Sequence, residues 1–215
     1  MTRAPDDPSP PADTSVRERL LATASTLFYR EGIRAVGIQR VIEEAGVAKA
    51  SLYAHFASKD ELVAAYLARR SEAVQAQFAA VLDGEGAPVD RLLGLFDTCL
   101  AWMASAEFRG CPFQHADSEL GCAEHPARKV LAAHRAWLQA RVAAVVREAG
   151  VRSPDQVAGA LLALFEGAVA RALAEGTPAA GHDARWAATV LLGRTGGPRT
   201  RVARAWPRSG PTTSS

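Results

Sequence analysis

Three cysteines, Cys99, Cys111 and Cys122, are all that 215 residues contain, an odd number too small to build a disulfide framework. Long apolar runs are scarce as well, and none approaches the ~20 residues of a membrane-spanning helix. The N-terminus places Pro and Asp where a signal peptide would have an apolar core. Together these absences lead to the expectation of a cytoplasmic protein with no membrane association. A strong charge of one sign is also lacking. Net charge is +2, and residues 193 to 215 carry five arginines and no acid, so the remainder sums to −3. A broad positive field is thereby excluded, and nucleic-acid affinity would have to come from a few placed contacts. No phosphate-cradling loop, nucleophile elbow or paired-carboxylate motif is present, so no catalytic residue is assigned, no cofactor is implied, and the chain is expected not to be an enzyme.

What is present is ordinary globular material, 48% hydrophobic and 22% charged, enough for one or two domains with a substantial core. Its most informative stretch runs from Ile38 to Lys59. Ile38, Val41, Ile42 and Ala45 recur at helical spacing, Gly46 supplies a turn, Val47 plugs the corner, and a second short helix follows from about Lys49 to Phe56. Two short helices across such a turn form the helix-turn-helix of DNA-binding proteins. In the second helix Leu52 and Phe56 pack inward, leaving Lys49, Ala50, Tyr53 and His55 on the outer surface. There the charge of Lys49, the hydroxyls of Ser51 and Tyr53 and the ring N–H of His55 can bond phosphate oxygens or base edges.

The segments Ala45-Gly46-Val47, Leu52-Tyr53, His55-Phe56 and Ser58-Lys59 followed by Leu62 resemble the signature of the TetR family of bacterial transcriptional regulators. The resemblance is specific over Arg17 to Leu67 and diffuse beyond. It implies that Gln39, Arg40, Lys49, Ala50, Ser51, Tyr53, His55 and Lys59 touch double-stranded DNA. Two positions depart from the family's pattern: Gly37 stands where a capping Thr is common, and Ala48 replaces a usual Ser or Thr. A lost N-cap costs about 1 kcal/mol.

Around this motif the chain divides into a proline- and aspartate-rich leader (1–13) expected to be disordered, a DNA-binding head (14–58), a ligand-binding and dimerisation domain (59–193), and a flexible Arg-rich tail (194–215). Ser15 and Glu18 are spaced as a capping box for a first helix ending at Gly32, and Ser58 and Glu61 as another for a helix reaching Asp83-Gly84. Further helices are expected over Val89 to Met103, from Pro126 to Gly150, and from Ser153, whose spacing to Gln156 suggests a third capping box, to Gly176. Small residues fill that last helix, and with the segment near His182 to Leu192 the resemblance implies a four-helix dimer interface, placed at Leu161, Leu164, Ala168, Trp186 and Val190. The alternative is that both helices are internal core.

Between Ser105 and Pro126 lies a helix-poor corner holding Cys111, His115, Cys122 and His125. Three chemistries compete for it. With a facing apolar stripe it could line a small-molecule cavity formed by Phe96, Trp102, Met103, Cys111, Phe113, His115, His134, Trp137 and Phe165. The Cys-His pairs could instead hold a soft metal, although no metal ligand set is assigned. Alternatively, Cys111 and Cys122 could act as a thiol switch. An outlying possibility is a helical enzyme or ligand carrier using His115, His134 and Cys111.

The overall expectation is an all-α homodimer with an N-terminal three-helix head and a C-terminal helical domain. Its recognition helices would sit ~34 Å apart on a near-palindromic operator. It would act as a repressor released by a small apolar effector.

Overall fold

The computed structural model describes residues 15–194, and the expected leader and most of the tail lie outside the described residues. Within them the chain forms nine helices and no strand: α1 (Val16–Glu31), α2 (Ile38–Ala45), α3 (Lys49–His55), α4 (Lys59–Leu82), α5 (Pro88–Met103), α6 (Pro112–Glu119), α7 (Ala127–Glu148), α8 (Pro154–Glu175) and α9 (Ala179–Arg194). The all-α architecture is as expected.

Local chemistry explains most boundaries. Ser15 Oγ accepts from Glu18 N–H at 3.2 Å, and Ser58 Oγ accepts from Glu61 N–H at 3.2 Å. Glu61 reaches back to accept from Ala57 N–H at 2.8 Å, closing the start of α4. Gly46 ends α2 at φ +63°, the left-handed conformation that lets its own N–H and that of Val47 bond back onto the last turn.

Three expectations need correction. The corner between Ser105 and Pro126 is not helix-poor: Pro112, with its fixed φ and missing N–H, opens α6. The capping box at Ser153 does not form, because Ser153 adopts φ +57° and its hydroxyl bonds none of the free N–H groups of α8. Finally, α8 is long and apolar enough to cross a bilayer by length and composition, yet it packs here within a helical bundle, chiefly against α7 and α9.

Two hydrophobic cores organise the molecule. In the head core, Leu20, Leu27, Val41, Leu52 and Phe56 surround the start of α4 at Leu62, Val63, Tyr66 and Leu67. The second core gathers the end of α4, at Phe78 and Leu82, with inward faces of α5, α7, α8 and α9. One helix therefore belongs to both. The head core also contains Phe113 and Ala116 of α6, Leu120 just after it, and Ala127 and Leu131 of α7. Burying a side chain the size of Phe113 or Leu120 contributes on the order of 2 kcal/mol, so α6 is anchored to the head rather than draped over it.

Candidate nucleic-acid interface and ligand cavity

On α3 the side chains separate as the spacing predicts. Leu52 and Phe56 are buried, whereas Lys49, Ala50, Tyr53 and His55 are exposed, Tyr53 at 48%, and Ser51 is half-buried. The exposed side of α3 thus offers Lys49, Tyr53 and, at a different angle, His55 on a helix braced from behind. Neither α2 nor α3 has a side-chain cap, since Gly37 and Ala48 supply none, so their first N–H groups are open to another acceptor such as a phosphate oxygen.

Neighbouring residues engage most of the other cationic and polar candidates. Arg40 forms ion pairs with Glu44 at 2.8 Å and with Glu31 at 2.5 Å, and the hydrogen bond to Glu44, then that to Glu31, raises its pKa. Gln39 Nε2 donates to Glu43 Oε1 at 2.9 Å. Lys59 is half-buried, and that burial lowers its pKa. Either side chain on α2 would have to exchange an internal partner for DNA.

In the body, α4, α5, α6, α7 and α8, with Tyr29 of α1, enclose a cavity of about 530 Å³. Five of the nine expected lining residues are there: Trp102, Cys111, Phe113, His134 and Phe165. The other four are not. Phe96 and Met103 are buried in the second core, Trp137 packs against that core's edge, and His115 lies over Gly110. Sequence reasoning missed Tyr29, Cys99 and a stripe on α4 formed by Arg70, Val74, Gln77 and Phe78. Their three- and four-residue spacing was the available signal, with Arg and Gln interrupting an otherwise apolar face.

The cavity's polar groups are tightly specified. The His134 ring stacks on Phe113 with centroids 3.8 Å apart, and its Nδ1 lies 2.9 Å from Ser71 Oγ, which also accepts from Gln75 Nε2 at 2.9 Å. Burial, aided by the charge of Arg135, pushes His134 down to about 4, so the imidazole is neutral at pH 7. Tyr29 Oη donates to the Gly110 carbonyl at 3.2 Å and accepts from Arg109 N–H at 3.0 Å. Gly110 itself sits at φ +84°, a conformation that strains any residue with a Cβ, and a Cβ there would lie 2.7 Å from Leu173 and 2.8 Å from His115, so both side chains would have to shift.

The same corner reaches the head from its other end. Glu119, closing α6, accepts from Arg34 N–H at 2.7 Å, while its carbonyl accepts from Arg34 Nε at 2.7 Å. Pro112 and Phe113, at the start of α6, line the cavity.

The thiol and metal readings find little support in this geometry. Cys99 is buried and Cys111 half-buried, and burial raises both thiols, Cys99 to about 12. Exposed Cys122 donates to Glu124, and His125 lies 3.3 Å from Asp60. Among the described residues no three His, Cys, Asp or Glu side chains gather as metal ligands.

The expected interface residues also separate. Leu161 and Ala168 are buried in the protomer's own core, at 2% and 5% exposure, so they cannot meet a partner directly. Leu164 and Val190 are half-buried, and Trp186 is 70% exposed.

The family described as "Bacterial regulatory proteins, tetR family" matches residues 20–66, and the "Tetracyclin repressor-like, C-terminal domain" matches residues 88–188. The transcriptional repressor KstR2 of Mycolicibacterium smegmatis is 37% identical over 93 residues, covering 43% of this chain and 44% of that relative, so the match spans less than half of the curated protein. Solved structures match over far more. SCO4454, a TetR-family regulator from Streptomyces coelicolor, is 30% identical with a TM-score of 0.79, covering 85% of this chain and 96% of that one. The regulator sav143 from Streptomyces avermitilis is 34% identical with a TM-score of 0.78, covering 85% and 99%. With its head and its body matched in this way, the chain belongs to the TetR family of bacterial transcriptional regulators.

Proposed function

We propose that the chain is a homodimeric, operator-binding repressor that a predominantly apolar small molecule releases from DNA. The observation that carries this reading is the sharing of walls: Tyr29 of the head lines the cavity, and α6 borders the cavity at Phe113 while holding the head at Glu119. A ligand that fits the cavity in only one setting of α6 and α4 favours one head orientation through its differential affinity for the two. The name of the relative KstR2 supports repression. Acting on chromosomal DNA, the protein would work in the bacterial cytoplasm.

In this reading Lys49, Ser51, Tyr53 and His55 meet the major groove, with Gln39, Arg40 and Lys59 at its edges. The second head comes from the dimer. Only 33% of the most apolar window of α8 is buried, and Ala160, Gly167 and Ala170 stay exposed on it, as Trp186 does on α9. Exposed apolar positions of this kind on two helices that pack together are what a partner subunit covers.

Footprinting the promoter region beside the protein's own gene tests the assignment. A near-palindromic protected site with half-sites ~34 Å apart, lost on replacing Lys49 and Tyr53 by alanine, is expected. Undiminished occupancy by the Lys49→Ala/Tyr53→Ala protein would overturn it.

A further inference from the structure

We propose that the cavity is built for an amphiphilic anion, an apolar body ending in a carboxylate, with the Arg70 guanidinium as its head-group site. This deepens the effector reading above and rests on it. Three charged side chains border the cavity: Arg70 from α4, Arg135 from α7 and Glu166 from α8. Arg135 already has a carboxylate partner in Asp117, which it shares with Arg128, paired at 2.5 Å. Glu166 is exposed, where water screens it.

Arg70 differs from both. It is half-buried, and no carboxylate among the described residues pairs with it. Its Nε is fully buried with no hydrogen-bond partner. The guanidinium is held 4.6 Å from the Tyr29 ring centroid and beside the buried Tyr66 hydroxyl, so its position is set before any ligand arrives.

A guanidinium does not escape burial by losing its proton, and a desolvated one without a counter-charge is costly. A carboxylate in the cavity answers that need as a counter-charge, accepting from the terminal N–H groups of the guanidinium rather than from the enclosed Nε. Tyr29 cannot substitute as a donor, because its hydroxyl is committed to Gly110 and Arg109. Val74, Phe78, Trp102, Phe113 and Phe165 then receive the apolar body, and about 530 Å³ is within the range that holds a drug-sized molecule.

Calorimetric titration of the full chain at pH 7.5 with decanoate, dodecanoate and 2-naphthoate, each against its neutral alcohol, tests this. The acids are expected to bind at least about tenfold tighter than the alcohols, a preference that Arg70→Gln abolishes and Arg70→Lys partly restores. Equal affinity of acids and alcohols for the native protein overturns the inference while leaving the cavity's effector role intact, and so does an Arg70→Gln protein that still prefers the acid. Binding of neither series removes the effector reading and the inference together. The comparison of acid with alcohol is made on the native protein, so it stands even where a variant fails to fold.

Discussion

At the scale of single residues, the cavity's chemistry rests on groups kept neutral or unpaired by burial. His134 takes a proton only near pH 4 when folded, whereas in the unfolded chain it does so near its ordinary 6.5. The unfolded state therefore binds more protons between those values, and the contribution of His134 to stability, fully present above pH 6.5, is lost as pH falls through that window. Thermal melts of the native and His134→Gln proteins across pH 7 to 4 should show the steeper decline in the native chain. Parallel declines would assign the acid sensitivity elsewhere. Tyr53 belongs to the same scale. Exposed and backed by Leu52, it can be cut to alanine with little effect on folding, but with a loss of about 1–3 kcal/mol in operator affinity, measurable by gel shift. Arg40 should matter less, since its removal from DNA is partly offset by its ion pairs with Glu31 and Glu44.

At the scale of elements, what could be read from the sequence depended on how local the determinants were. The α2–turn–α3 unit was legible because Gly46, Val47, Leu52 and Phe56 fix it within a dozen residues. The cavity was not, because six helices contribute to it and many linings, such as Ala73, Thr98 and Gly159, carry no chemical mark. Periodicity identified Phe96, Met103, Leu161 and Ala168 as inward or interfacial, but it gives a face without naming the neighbour, and all four face the second core. The short α6 escaped notice because Gln114, His115, Asp117 and Ser118 dilute its apolar positions, although Pro112 marked its start. At Ser153 the right residue types were present, and the backbone turned the wrong way. One prediction belongs here. Replacing Gly110 by alanine forces a left-handed conformation costing about 1–2 kcal/mol, plus a clash with His115 and Leu173, and should lower the thermal midpoint by several degrees. An unchanged midpoint would mean that the Tyr29–Gly110 corner yields easily.

At the scale of the whole molecule, the proposed dimer places its contact on the exposed residues of α8 and α9, which would let two heads act as one. Trp186, at 70% exposure, is the large side chain most suited to anchor a partner. A Trp186→Arg protein should dissociate on the order of 30-fold more readily in analytical ultracentrifugation, and its footprint should weaken in step. A variant that stays dimeric would move the contact to another face. The tail's five arginines, outside the described residues, invite a separate measurement: removing residues 194 to 215 should flatten the salt dependence of DNA binding if they reach phosphates, and leave it unaltered if they do not.

The eight residues of α6 have a consequence for genetics. Only ~12 Å of helix separates the cavity end of α6 from the end that holds the head, and in the proposed function that span is too short for slack. Selections for strains that ignore inducer, and for strains that never silence the target, should both return substitutions in this one short segment.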